Sequence, residues 1–249
     1  MANRTVTWGQ FQVRVVEPKD PARVTRNVVL SHGYGATGAD LVPLAAMLGQ
    51  SDPILAQRVR FLFPEAPYDL AEIGMPGGRA WWNLDVWKLQ QAVASGTYRD
   101  LVNESPAELP ATRAAFQDML KQCAESTGVP LTRTILGGFS QGAMLSTDAC
   151  LHAVEKPAGL IVWSGSLINQ IVWRERMSHL KGLKVYQSHG KFDPILPFEL
   201  AVQLRQELTA AGNTVTFLEF AGGHEIPYDA AEQTAQFLVA SVADGDVTV

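Results

Sequence analysis

Thr134-Ile135-Leu136-Gly137-Gly138-Phe139-Ser140-Gln141-Gly142-Ala143-Met144-Leu145 places a short apolar run, a glycine-rich turn and a second apolar run in direct succession. Ile135-Leu136 reads as a buried strand, and the residues from Ala143 through Leu151 read as a helix. Between them, Gly138-Phe139-Ser140-Gln141-Gly142 matches G-x-S-x-G. Five letters built on common residues are weak evidence alone. The strand–turn–helix setting gives the match its meaning. A sharp turn there holds the serine in a strained conformation at the edge of a sheet, and the glycines two positions either side let strand and helix approach closely. Ser140 is therefore the candidate nucleophile, weighed against an ordinary serine in a glycine-rich turn.

Working outward, the same strand-then-helix alternation recurs. Val28-Val29-Leu30 ends at Ser31-His32-Gly33 and is followed by Leu41, Leu44, Ala45 and Leu48 on one helix face. Arg60-Phe61-Leu62-Phe63 is closed by Pro64, and Phe116, Met119, Leu120 and Cys123 form a helical stripe stopped by Gly128 and Pro130. Leu160–Trp163, Leu183–Tyr186 and Val215–Leu218 repeat the strand signal, with helical stripes at Ala201, Leu204, Leu208 and at Ala231, Ala235, Leu238, Val242. Such alternation predicts an α/β fold with a mostly parallel sheet covered on both faces. Val6 to Val16 alternates like one antiparallel edge strand. Residues 68–110 break the pattern with Gly77-Gly78, Trp81-Trp82, Trp87 and Asn103-Glu104-Ser105-Pro106. So long an insertion in a compact domain is more often functional than idle, and a lid or cap over the sheet edge is expected. The alternative is a surface excursion whose tryptophans only pack on the body.

The whole chain bounds the rest. Its 249 residues, 47% hydrophobic and 18% charged, suit one globular domain spanning 1–249 with a substantial core. A net charge of −5 without a Lys/Arg cluster argues against nucleic acid as a partner. No apolar run reaches the length of a membrane span, and Met1–Thr5 is too polar for a secretory leader, so a soluble cytoplasmic protein is expected. Cys123 and Cys150 are two, far apart and in apolar helical patterns; buried free thiols are expected, and no metal.

A serine hydroxyl needs a base within hydrogen-bond reach. Among five histidines, His152 and His179 lie in or beside helical segments, while His32 and His189 each precede a glycine at a strand end. His224, in Gly222-Gly223-His224-Glu225-Ile226-Pro227, alone follows every plausible acid on a post-strand loop, as the order nucleophile, acid, histidine requires. The acid is expected on the loop after the preceding strand, where Gly190-Lys191-Phe192-Asp193-Pro194 supplies Asp193. Glu199 opens a helix, and Glu225 and Asp229 are too near His224 in sequence. An oxyanion site needs two N–H donors: the backbone of Gln141, and one from the loop His32-Gly33-Tyr34-Gly35-Ala36-Thr37-Gly38. That loop lacks the Lys-Ser/Thr ending of a phosphate-binding P-loop.

Leu30-Ser31-His32-Gly33-Tyr34-Gly35, Phe63-Pro64-Glu65-Ala66-Pro67, Gly137–Ala143, His189–Pro194 with Pro197, and Gly223–Pro227 together resemble the phospholipase/carboxylesterase family, in that family's order. The resemblance covers most of the chain and implies an α/β-hydrolase fold. It implies Ser140, Asp193 and His224 as a catalytic triad and the Tyr34 and Gln141 N–H groups as the oxyanion hole, with no cofactor. Acyl chains are implied to lie near Ile195, and Met75, Trp81 and Trp82 are candidate pocket residues beside the alternative that they only pack. Hydrolysis of small carboxylic esters of short to medium acyl chain is the expected activity, with a homodimer compatible. An acyl-protein thioesterase or lysophospholipase would use the same residues. A transferase would differ in its acceptor, and a non-catalytic ligand-binding member of the fold would usually lack a triad residue. The Tyr68–Pro110 segment is longer and richer in tryptophan than in the thioesterases, and Ser31 stands where an apolar residue commonly precedes His-Gly.

Overall fold

A computed structural model of the protein describes residues 1–97, 102–103 and 105–245. Eight strands form one sheet: β1 (Ala2–Trp8), β2 (Phe11–Glu17), β3 (Arg26–Ser31), β4 (Val59–Pro64), β7 (Thr134–Phe139), β8 (Gly159–Trp163), β9 (Lys184–Gly190) and β10 (Thr214–Phe220). A separate two-stranded ribbon, β5 (Tyr68–Asp69) with β6 (Arg79–Ala80), belongs to the insertion. The eight lie in the order β1-β2-β4-β3-β7-β8-β9-β10, antiparallel at β1/β2 and β2/β4 and parallel from β4 onward. The expected α/β-hydrolase architecture, a mostly parallel sheet flanked by helices, is present.

The N-terminal stretch corrects one expectation. Val6 to Val16 is not one edge strand but parts of two, joined by a tight turn in which Trp8 pairs with Phe11 and Gly9 sits at φ 56°. Its buried residues are Trp8, then Phe11, Val13, Val15 and Val16. The step of three between Trp8 and Phe11 breaks the period of two, which is what a two-residue hairpin turn does.

The helices are α1 (Val42–Ser51), α2 (Pro53–Arg58), α3 (Val86–Ser95), α4 (Leu109–Thr127), α5 (Gln141–Leu151), α6 (Gln170–Arg176), α7 (Phe198–Ala210) and α8 (Tyr228–Gly245). Successive strand residues point to opposite faces, so each central strand feeds two cores. Val29, Leu62, Leu136 and Val162 pack with α4, α5, α6 and α7; Val28, Leu30, Phe61, Ile135 and Trp163 pack with α1, α2 and α8. Coverage on both faces explains why these strands are continuous apolar runs. Cys123 and Cys150 are buried free thiols, and burial pushes Cys123 up to about 11.

β3 leads to β4 on one side while β7 leads to β8 on the other, so the strand order reverses between β3 and β7. At such a switch point the loops leave in opposite directions and a crevice opens at the strands' carboxyl ends. Ser31-His32-Gly33 and Phe139-Ser140 end those two strands, with Ser31 paired to Gly138. Among the described residues, no helix is long and apolar enough to cross a membrane.

Candidate active site

Ser140 sits between β7 and α5 at φ 54°, ψ −120°. A non-glycine residue held there costs on the order of 1–3 kcal/mol and persists only where its surroundings over-determine it. They do so here. The Ser140 N–H donates to Trp163 O at 2.9 Å, and its carbonyl accepts from the N–H of Ala143 (3.0 Å) and Met144 (3.1 Å). A Cβ at Gly138 or Gly142 would collide with the Ser31 carbonyl, so α5 lies on β3 at a distance only glycine permits.

The β9 and β10 loops bring the other two residues together. The N–H groups of Lys191 and Phe192 donate to Phe220 O (2.9 Å) and Gly222 O (3.0 Å), tying the first loop to the second. His224 Nδ1 then lies 2.7 Å from Asp193 Oδ2. Asp193 Oδ1 accepts the backbone N–H of Ile195 and of Leu196, each at 2.9 Å. Burial alone would raise the pKa of Asp193. The adjacent His189 ring, the hydrogen bond and charge of His224 and the Leu196 N–H outweigh it, so the carboxyl stays well below the usual aspartate range. The His224 ring stacks obliquely on Phe139 at 4.8 Å, and the Ser164 hydroxyl donates to the adjoining Glu225 carbonyl at 3.1 Å. Glu199 lies in the first turn of α7, and Asp229 in that of α8.

Ser140 and His224 open on one cleft of about 350 Å³. Among the described residues no hydrogen bond joins the serine hydroxyl to the imidazole, and such bonds often tighten only when substrate binds. Gly33, Tyr34 and Gln141 line the same cleft. A Cβ on Gly33 would lie 3.4 Å from Ser140 Cβ, so this loop runs against the nucleophile. Among the described residues the backbone N–H groups of Tyr34 and Gln141 donate to nothing; that of Gln141 belongs to the unpaired first turn of α5. His32 braces the loop from behind, with Nδ1 2.8 Å from Gly33 O and Nε2 accepting the Ala66 N–H at 3.1 Å. The acceptor role requires an unprotonated Nε2, and burial pushes the His32 pKa down.

The insertion supplies one wall: Trp82, Asn83, Leu84, Asp85, Lys88 and Pro106 face the cleft. Residues 98–101 and 104 of the expected lid lie outside the described residues. Trp82 and Ile195 line the cleft, whereas Trp81 and Met75 do not. Trp81 is fully buried between Phe11 and Phe116, and its indole N–H donates to His32 O at 2.8 Å. Met75 packs its methyl on Gly35. Trp87 is 70% exposed.

Two features escaped the sequence. The Gln141 side chain accepts the Trp81 N–H (2.8 Å) and donates to Trp82 O (2.9 Å), clamping the insertion to the turn that carries Ser140. Leu167, Ile168, Leu196, Leu200 and Met144 complete the apolar lining. Periodicity places each in or beside a helix, but nothing local says which of them faces a cavity. Among the described residues no group of three or more His, Cys, Asp or Glu side chains is disposed to hold a metal.

The model of the family described as Phospholipase/Carboxylesterase matches residues 11–242. Acyl-protein thioesterase 1 of Neurospora crassa is 27% identical over 222 residues, 87% of either chain. Acyl-protein thioesterase 1 of Kluyveromyces lactis is 31% identical over 193 residues, 75% of this chain and 77% of that one. The crystal structure of esterase PE8 superposes with a TM-score of 0.74 at 25% identity, covering 91% of this chain and 96% of that one. A carboxylesterase from Mesorhizobium loti, 18% identical, shares the fold at a TM-score of 0.73, covering 95% and 98%. With its family pattern spanning nearly every element of the sheet, the chain belongs to the phospholipase/carboxylesterase family.

Proposed function

We propose that the protein hydrolyses carboxylic esters of short to medium acyl chain through an acyl-enzyme on Ser140. The observation that carries this reading is a strained, over-determined serine sharing a cleft with an imidazole that an aspartate holds at 2.7 Å. His224 takes the Ser140 proton as the oxygen attacks the ester carbonyl. Asp193 holds the ring's tautomer and stabilises the imidazolium without itself taking a proton, consistent with its depressed pKa. The developing oxyanion is met by the Tyr34 and Gln141 N–H groups, whose freedom from other partners suits them to it. His224 then protonates the leaving alcohol. Water, activated by the same ring, releases the acid.

The apolar wall of Trp82, Met144, Leu167, Ile168 and Leu196 suits a hydrocarbon acyl group. Thioester hydrolysis on an acylated protein is the second reading, favoured by the names of the relatives and open to the same residues. A series of p-nitrophenyl esters from acetate to palmitate, run beside a palmitoyl thioester and a lysophospholipid, separates the readings. The expected result is kcat/KM highest between two and eight carbons and lower for both long-chain lipids. A clear preference for the palmitoyl thioester would replace ester hydrolysis by the second reading.

A further inference from the structure

His189 ends β9 beside Gly190, and the acyl-transfer scheme gives it no task. Its ring is fully buried, 6.2 Å from the Phe198 ring. Nε2 lies 2.8 Å from Leu196 O and 3.2 Å from Asp193 Oδ2. Both neighbours are acceptors, so Nε2 carries a hydrogen; it donates to Leu196 O, and Asp193 Oδ2 stands beside the same N–H at 3.2 Å. Nδ1, by contrast, is buried without a partner among the described residues. The ring is thus oriented for its Nε2 edge, at the cost of leaving the other nitrogen unpaired.

Asp193 Oδ2 consequently faces two imidazoles, His224 Nδ1 at 2.7 Å and His189 Nε2 at 3.2 Å. Its Oδ1 faces two backbone N–H groups. A carboxylate gripped on both oxygens cannot rotate about its last bond without breaking a charge-assisted hydrogen bond. The same histidine N–H reaches the carbonyl of Leu196, a cleft-lining residue, and so closes the 193–196 turn on itself.

We propose that His189 is a positioning residue: its Nε2–H fixes Asp193 in the orientation His224 needs and holds the turn that walls the cleft. This rests on the assignment of Asp193 and His224 to the triad. The residue acts through Asp193 and touches no substrate, so its loss should lower kcat more than it raises KM.

The test compares His189→Ala, His189→Met and His189→Gln with the wild type, using p-nitrophenyl butyrate, fluorophosphonate labelling rate and urea unfolding. Methionine fills the space without a donor, whereas glutamine returns an N–H near the Nε2 position. We expect kcat to fall about ten-fold in the alanine and methionine variants, the scale of one weaker hydrogen bond to a charged group. Glutamine should recover most of the loss, and the labelling rate should follow kcat. If alanine does not fold, methionine against glutamine carries the comparison. Wild-type kcat in the methionine variant, or equal impairment of methionine and glutamine, would overturn the proposal. Turnover surviving in Ser140→Ala would remove the triad assignment, and this proposal with it.

Discussion

Ser140→Ala is expected to lower kcat for p-nitrophenyl butyrate by about a million-fold, to the floor of detection, as loss of the nucleophile does in serine hydrolases that act through a triad. The fold should not suffer. Alanine keeps the Cβ and the backbone bonds to Trp163, Ala143 and Met144 that hold the turn, and it meets the same positive φ as serine. The urea midpoint of the variant should therefore stay close to that of the wild type. Loss of activity at unchanged stability assigns the effect to the hydroxyl. Turnover within ten-fold of wild type would mean the chemistry lies elsewhere.

Gly142→Ala is expected to act through geometry. The added Cβ would strike the Ser31 carbonyl carbon and oxygen and the His32 carbonyl, all backbone atoms with nowhere to turn. Either α5 backs away from β3 or β3 bends, and both movements separate Ser140 and Gln141 from the Gly33-Tyr34 loop. Misplacing reacting groups by about 1 Å can cost about a hundred-fold in rate, so kcat should fall by at least that much. Overpacking of this kind also destabilises by about 1–3 kcal/mol, which a lowered urea midpoint would record. A variant with wild-type kcat and midpoint would show that the close contact between α5 and β3 is dispensable.

The two substitutions probe features of unequal legibility. The turn at Ser140 was readable because strand, glycine spacing and helix all lie within twelve residues, and each signal is local. His224 and Asp193 were readable for a related reason: each follows a strand in the order the fold imposes, and the sheet carries all such loops to one edge. The hairpin between β1 and β2 is hard to read from the sequence because alternation on both sides of Gly9 hides a phase break of one residue. Trp81 and Trp82 are adjacent in sequence yet serve different purposes, one sealed among Phe11, Phe116 and His32, the other facing the cleft. Nothing in two consecutive tryptophans says which way either turns, since that depends on Gln141, sixty residues away from Trp81, and on Thr112, whose hydroxyl donates to Trp81 O at 2.8 Å. Order along the chain brought Ser140, Asp193 and His224 to one edge of the sheet; contacts between distant residues determined the pocket.

The central claim is that Ser140 alone attacks the carbonyl. Reaction with a fluorophosphonate probe, followed by proteolysis and mass spectrometry of the modified peptides, tests it most directly. One adduct on the peptide carrying Ser140, absent in Ser140→Ala and slowed in His224→Ala, is the predicted result. An adduct on any other residue, or an active enzyme that the probe leaves unmodified, would contradict it.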